Sequence, residues 1–415
     1  MAEPKVRFKR DDGSSYPAWV AGKLGDITTK VDRKAPKGSV APVMMVSQGN
    51  GFIYQADKYS RENAGQSLKN YTLLKQGEFA YNHGASKAKP YGVAYCLTEE
   101  PEARVPFVYH TFKLKDGVNS YWHEALNTSK MDRQLKRMVS SGARMDGLLN
   151  INYETYMDVD INIPCVEEQQ KIADFLSSVD EVIAASEEEV VNLETQKKAV
   201  MKKLFSREVR FKREDGSDFL EWEEMNFDQL ADYKKGPFGS ALKKELFVPQ
   251  SDDTVKVYEQ QNAIGKDWKL ERYFITAEYA RKMKGFEVHS GDIIISCAGT
   301  IGEIYELPVG AEPGIINQAL MRVRVDETVI NKYYFSCVFD MMITTEGSRI
   351  SNGSALKNIP PFADLKKQVV SIPCLEEQRL IADFLSNFDE AIAAAKKELE
   401  LWKELKKGLL QQMFV

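Results

Sequence analysis

One long stretch occurs twice in this chain. Ile163–Ala185 begins Ile-Pro-Cys-Val-Glu-Glu-Gln and runs into Ile-Ala-Asp-Phe-Leu, and Ile372–Ala394 returns it with 17 of 23 positions identical at a fixed offset of 209. A self-similarity of this length dictates the architecture before any local reading does. The heads repeat as well. Val6–Trp19 and Val209–Trp222 share 9 of 14 positions, at an offset of 203. The chain is therefore head, variable segment, helix, and then the same three again.

Both copies of the long stretch read as one helix. Pro164 and Pro373 stand where proline is tolerated, at or just before a first turn. The acidic pairs Glu167–Glu168 and Glu376–Glu377 follow, suited to the positive end of the helix dipole. Apolar residues then recur in alternating steps of four and three, which is a coiled-coil seam. In the first copy the seam is Ile172, Leu176, Val179, Ile183, Val190 and Leu193. In the second it is Ile381, Leu385, Phe388, Ile392, Leu399 and Trp402. Both stripes are interrupted at matching places, by Ser186 and Ala395 and by Lys197 and Lys406. Two helices with one stripe and the same interruptions are natural partners. The competing reading is two unrelated surface helices, each packed on its own domain.

Between heads and helices the two halves hardly match. Both regions are rich in β-branched and aromatic residues with frequent glycine turns, and segments such as Gly77–Asn82, Gly92–Leu97, Gly291–Ser296 and Leu320–Val325 read as short strands. Short helices are expected near Tyr121–Val139 and Asn331–Thr344. At 415 residues the length allows two to three domains. The fold class expected is α+β: two mixed α/β domains joined by two long antiparallel helices, in a pseudo-twofold repeat. The boundaries expected are 1–162, 163–206, 207–371 and 372–415.

The net charge of −5 argues against nucleic acid at first sight, but its distribution does not. Residues 163–206 carry 5 basic and 9 acidic side chains, and residues 372–415 carry 6 and 8. Residues 1–162 carry 23 and 18, so the first variable region is basic, whereas residues 207–371, with 22 and 26, are acidic.

Catalytic constellations are hard to find. The five cysteines form no Cys-x-x-Cys pair, and His83, His110, His123 and His289 form no metal-spaced cluster. Gly299-Thr-Ile-Gly302 and Gly236-Pro-Phe-Gly239 lack the Gly-Lys-Ser/Thr of a phosphate loop and read as turns. In Asn358-Ile-Pro-Pro-Phe362, Ile359 occupies the place where an amino-methyltransferase needs an amide or carboxylate directly before the prolines. No apolar run approaches the roughly 20 residues of a membrane span, and the first residues lack a signal peptide's apolar stretch. A cytoplasmic, reduced protein is expected.

What remains is a set of polar and basic side chains around the turns, of the types that read base edges and neutralise phosphates. In the first variable segment these are Gln48, Asn50, Asn82, Ser86, Lys87, Lys89, Tyr91 and Arg144. In the second they are Ser240, Lys243, Lys244, Gln260, Gln261, Asn262, Thr300, Asn317, Gln318 and Arg349. Gln260–Asn262 and Ser86–Tyr91 stand out as the densest runs. An ordinary solvated loop surface is the alternative for each.

With the doubled Ile-Pro-Cys-x-Glu-Glu-Gln…Ile-Ala-Asp-Phe-Leu, with Gly291–Ser296 leading to Gly299–Gly302, and with Gly236–Ser240 and Ile315–Ala319, the chain resembles the specificity subunits of type I restriction–modification systems. The resemblance covers the whole chain in layout. It implies two target-recognition domains, each reading one half of a split, asymmetric site in double-stranded DNA. It implies paired helices that act as a spacer and seat two methyltransferase subunits, through outer faces expected near Glu167, Gln169, Glu376 and Gln378. Two restriction subunits complete such assemblies. S-adenosylmethionine would then belong to the methyltransferases and ATP with Mg to the restriction subunits, with no cofactor or metal and no catalytic residue in this chain. The alternatives are a specificity subunit of another restriction–methylation type and a coiled-coil adaptor that does not touch DNA. In one respect the chain departs from the pattern: where the second segment has Gly-Thr-Ile-Gly, the first has Gly84–Gly92.

Overall fold

The computed structural model describes residues 4–58, 65–86, 89–139, 149–298, 300–350 and 365–414. The chain forms two compact units, one of residues 1–190 with 394–415 and the other of residues 191–393. The long helices span Val166–Phe205 and Leu375–Met413, and each contributes to both units. Among the described residues no helix is long and apolar enough to cross a membrane.

The first unit is built on a four-stranded antiparallel sheet in the order Thr28–Lys30, His110–Leu114, Phe79–Asn82, Val93–Cys96. Alternation along a strand sends neighbouring side chains to opposite faces. Phe79 and Tyr81 therefore join Phe112, Tyr156 and Trp122 in one core, while Ala80 joins Val46, Leu74 and Val105 in another. The first of these cores also takes in Ile172, Ala173 and Leu176 from the first long helix, and Met413 with Phe414 from the end of the second. Expected helices near 121–139 occur as Asn119–Ala125 and Ser129–Met138.

The second unit repeats that sheet in the order Ala231–Lys235, Leu320–Val325, Ile293–Ser296, Ile304–Glu306, again antiparallel throughout. Ile293, Ile295, Met321 and Val323 face a core that includes Ile381 and Leu385, and Ile294 with Leu320 faces the other way. A further sheet, Phe274–Thr276, Thr254–Tyr258, Gly314–Ile316 and Glu287–Val288, contains one parallel pair, Thr254–Tyr258 with Gly314–Ile316. The variable segments thus carry one shared sheet despite their dissimilar sequences. The helix expected near 331–344 occurs as Lys332–Ile350.

In each unit the repeated head is clamped to the start of a long helix by the same side chains. Arg7 donates from Nε and Nη2 to the two oxygens of Glu168 at 2.9 and 2.8 Å, and Trp19 Nε1 donates to Glu168 Oε2 at 2.9 Å. Arg210 does the same to Glu377 at 3.1 and 2.9 Å, with Trp222 Nε1 at 3.2 Å. The next residue ties the helix to its globule. Gln169 accepts from Val118 N and donates to Pro164 O, while Gln378 accepts from Asn331 N and donates to Val329 O and Pro373 O. Gln169 and Gln378 are 2% and 0% exposed. Neither offers a docking face, contrary to the expectation from sequence; their amides satisfy backbone groups that burial would otherwise leave unpaired. Glu167 and Glu376 do face solvent.

The helix stripes are buried within the units. Ile172, Leu176, Val179, Val190, Ile381, Leu385, Ile392 and Leu399 are buried, and Ile183, Leu193, Phe388 and Trp402 are half-buried. Each fully buried aliphatic side chain of this kind contributes roughly 1.5–3 kcal/mol. In the first unit the helix segments run antiparallel, since Lys406 meets Asp180 at 2.8 Å and Lys403 meets Glu187 at 2.8 Å. In the second, Lys197 meets Asp389 at 2.5 Å. The two lysines that interrupt the stripes are thus each paired with an aspartate of the other helix.

Candidate nucleic-acid interface

In the second unit three turn segments converge at one edge of the shared sheet. Gly236 N donates to Leu320 O at 2.8 Å, Cys297 N to Ala319 O at 2.7 Å, and Asn317 N to Tyr258 O at 2.9 Å. The approach of Gly236 to Asn317 is so close that a Cβ there would lie 1.8 Å from Asn317 O. Only glycine fits such a contact. Ser296 Oγ donates to Thr300 O at 2.6 Å and accepts from Glu303 N at 3.0 Å, which shapes the next turn. Gly236–Ser240, Ile315–Ala319 and the turn holding Thr300, three separate motifs in the sequence, are one surface in the fold.

That edge presents Lys234, Lys235, Phe238, Ser240, Lys243, Lys244, Thr300 and Gln318 to solvent. A cleft of about 540 Å³ lies there, lined by Tyr233, Lys234, Lys235, the Gly236–Gly239 turn, Phe286 and Gln318. Lysines flanking amide and hydroxyl groups combine phosphate neutralisation with the capacity to read base edges. The unit is acidic overall, yet this edge is locally basic. Asn317 is half-buried, and its Oδ1 accepts from Ala319 N to hold the turn.

Gln260–Asn262 divides differently than its sequence implies. Gln261 is exposed and Gln260 half-buried, whereas Asn262 is 0% exposed. The Asn262 amide accepts from Glu259 N at 2.8 Å and donates to Asp267 O and Leu270 O at 2.9 and 3.2 Å. It serves the loop rather than a ligand.

In the first unit the same hairpin of the same sheet joins Asn82 to Val93, so the described residues 84–86 and 89–92 stand where the second unit has Thr300–Gly302. Tyr81 Oη donates to Tyr91 O at 2.6 Å, and Gln48 Nε2 donates to Gly84 O at 2.6 Å. Asn82 Nδ2 donates to Val46 O at 3.0 Å, while its Oδ1 accepts from Gly84 N at 3.0 Å. Gln48, Asn82 and Tyr91 are half-buried and support the turn; Asn50 and Ser86 are exposed beside it. Lys87, Arg144 and the side chain of Arg349 lie outside the described residues, as does Asn358–Phe362.

Lys89 leads from this turn into a cleft of about 790 Å³. Its walls bring Lys89, Lys130, Arg133, Lys403, Lys406 and Lys407 together, with Asp132 the acid among them. Sequence reading missed Lys130, Lys403 and Lys407 here, and Lys234, Lys235 and Phe238 in the second unit. The lysines of the long helix look like solvated coiled-coil positions until the fold sets them beside Lys89. For Phe238 a signal exists: an aromatic enclosed by Gly-Pro and Gly is too tightly flanked by turns to reach a core.

Burial pushes the Cys96 and Cys337 thiols up to about 12 and Cys297 to about 11, so all three stay protonated near neutrality. His83 is buried, with its ring nitrogens 2.8 and 3.0 Å from Leu149 O and Val108 O.

A family model described as the type I restriction modification DNA specificity domain matches residues 220–401. Residues 220–401, under half of the chain, are thus similar to that domain. Among its relatives, the type I restriction enzyme MjaVIII specificity subunit of Methanocaldococcus jannaschii is 25% identical over 287 residues, 66% of this chain and 65% of that protein. The match spans just under two thirds of that relative's length. A chain from a solved structure concerned with complex assembly and conformational transition of the type I R-M system aligns over 96% of this chain and 98% of its own. The TM-score is 0.57 at 14% identity, which speaks for a common fold.

Proposed function

We propose that this chain is the DNA-reading subunit of a type I restriction–modification complex, in which each unit reads one half of a split site. The observation that supports this most strongly is one sheet carried twice, with dissimilar loops at the corresponding edge. A constant scaffold with variable polar turns is what two independent readers require. Lysines beside Gln318 and Ser240 serve one half-site; Asn50, Ser86 and Lys89 serve the other.

The long helices set the separation of the half-sites and dock two methyltransferase subunits. With Gln169 and Gln378 buried, docking falls to the outward apolar positions, namely Leu380, Phe384, Leu401 and Leu405 on the second long helix and Val182 and Val191 on the first. S-adenosylmethionine is bound by those partners, and ATP with Mg by two restriction subunits, in the cytoplasm where the chromosome lies. The chain itself performs no bond-making step.

Methylome sequencing of a host with and without this gene tests the reading. A bipartite methylated motif should appear only with the gene. Replacing residues 227–370 by the same segment of a relative should change one half of that motif. A change in both halves together would refute independent reading, and methyl transfer by the purified chain alone would refute the non-catalytic role.

A further inference from the structure

Phe238 is 89% exposed at the tip of the Gly236–Gly239 turn. Removing such a ring from water elsewhere in the chain would be favourable, so its position calls for an occupant. The turn that carries it is rigid. Gly236 is pinned by its hydrogen bond to Leu320 O and by the approach to Asn317 O, Pro237 is buried, and Ala241 N closes the turn on Phe238 O at 2.8 Å. The ring therefore projects from a fixed base.

Its surroundings identify the occupant. Lys234 and Lys235 precede it, and Lys243 and Lys244 follow, all exposed. Lys234 Nζ sits 5.1 Å from the Phe286 ring centroid across the cleft, and Gln318 completes the wall. An apolar protein partner would not suit a ring preceded in the chain by two exposed lysines and followed by two more. A polyanion whose interior is a stack of flat apolar faces would: lysines take phosphates on either side while the ring enters between bases.

Resting on the DNA-reading role, we propose that Phe238 is a wedge that enters a base step of the second unit's half-site and partly unstacks it. Specificity then comes partly from deformability, because a flexible step opens at lower cost than a stiff one. Gln318 beside the ring reads the edge of a base at the opened step. No corresponding exposed aromatic stands in the first unit's Gly84–Gly92 turn among the described residues, where Tyr91 is half-buried. The two half-sites should thus differ in how they are read, one through deformation and the other without it.

The test uses the full chain with its methyltransferase partners and duplexes of the motif found by methylome sequencing. 2-Aminopurine replaces each adenine in turn, and pyrrolocytosine each cytosine, through both half-sites and three flanking base pairs. At saturating protein, and leaving aside the adenine that each methyltransferase flips out of the stack, one position in the second unit's half-site should brighten and none in the first's. Phe238→Ala should abolish that signal and weaken binding about tenfold, the factor an ordinary aromatic–base contact supplies. Phe238→Trp should keep both. Lys243→Ala should weaken binding yet leave the brightening at saturation. The exposure of Phe238 means its removal leaves the fold intact, which thermal unfolding of the variant checks. Tight binding with no brightened position other than the flipped adenines overturns the wedge alone. Failure of the complex to bind any duplex overturns the DNA-reading role itself.

Discussion

Glu168 and Glu377 are wholly buried carboxylates, each held by an arginine fork and an indole N–H from the repeated head. The Glu377 carboxylate in turn holds the Arg210 guanidinium above its ordinary pKa. Deleting one member of a buried pair costs more than the pair contributes, because the other charge is left without water or partner. Arg210→Met should therefore destabilise the second unit by about 3 kcal/mol, the lower end for a buried pair since Arg210 is partly exposed. Arg210→Met with Glu377→Gln should recover most of that, as read from urea unfolding followed by tryptophan fluorescence. Equal loss in the single and double variants would show that the charge is not what matters. The arginine, the tryptophan and the glutamate were all visible as repeated residues, but their mutual contact was not, since the glutamate lies more than 140 positions from the other two and repetition carries no distances. Asn262 shows the converse. Its amide looks like a reader in a run of amides, and only burial reveals that it serves Glu259 N and two carbonyls.

The long helices were legible to within a few residues because heptad periodicity and acidic first turns are local signals. The interrupting lysines were visible only as flaws. Lys197 and Lys406 are repeat equivalents, and so are Asp180 and Asp389, which means one interaction is made once in each unit. Asp389 also accepts from Tyr333 Oη, and Lys197 lies 5.7 Å from the Tyr333 ring. A charged pair in a seam contributes little net energy, yet it penalises any register that separates its members. Lys197→Asp should place two aspartates together and cost about 1 kcal/mol, a modest figure because the site is half-exposed. Adding Asp389→Lys should restore stability in a double-mutant cycle, and additive losses would deny the coupling. The sheets were less legible. Single strands could be read from alternation, Leu320–Val325 to the residue, but strand order depends on contacts between distant segments. The convergence of three glycine motifs at one edge was hidden for the same reason. Gly236→Ala tests that edge: a methyl 1.8 Å from Asn317 O must displace the turn. DNA affinity should fall at least about tenfold, as expected when a well-placed base or phosphate contact is lost, and the thermal midpoint should fall too, because the clash is with backbone atoms. Unchanged affinity would take the turn out of the interface.

At the scale of the whole chain, layout was the most legible property. Duplication of head and helix around unlike inserts could be read without any structure, and the sheet shared by both inserts gives that layout a physical basis. Chemistry at the recognition edge was least legible, because exposed polar side chains on loops satisfy no periodic constraint. The proposal that the helices set the spacing of the half-sites makes a quantitative demand. Seventeen residues separate Asp180 from Lys197 in one helix and Asp389 from Lys406 in the other. One heptad inserted after Val190 and another after Leu399 lengthens both intervals equally and keeps both stripes in phase. Each helix grows by about 10 Å, equal to about three base pairs of DNA. Three base pairs also rotate the duplex by roughly a quarter to a third of a turn, which bending or twisting must absorb. The doubly extended variant should bind more weakly and methylate a motif whose unread spacer is longer by about two or three bases. Three residues inserted at the same places should break the apolar phase and abolish methylation. Sequencing the motif written by the double-heptad variant decides the matter, because an active variant with an unchanged spacer assigns the measure of the site to something other than these helices.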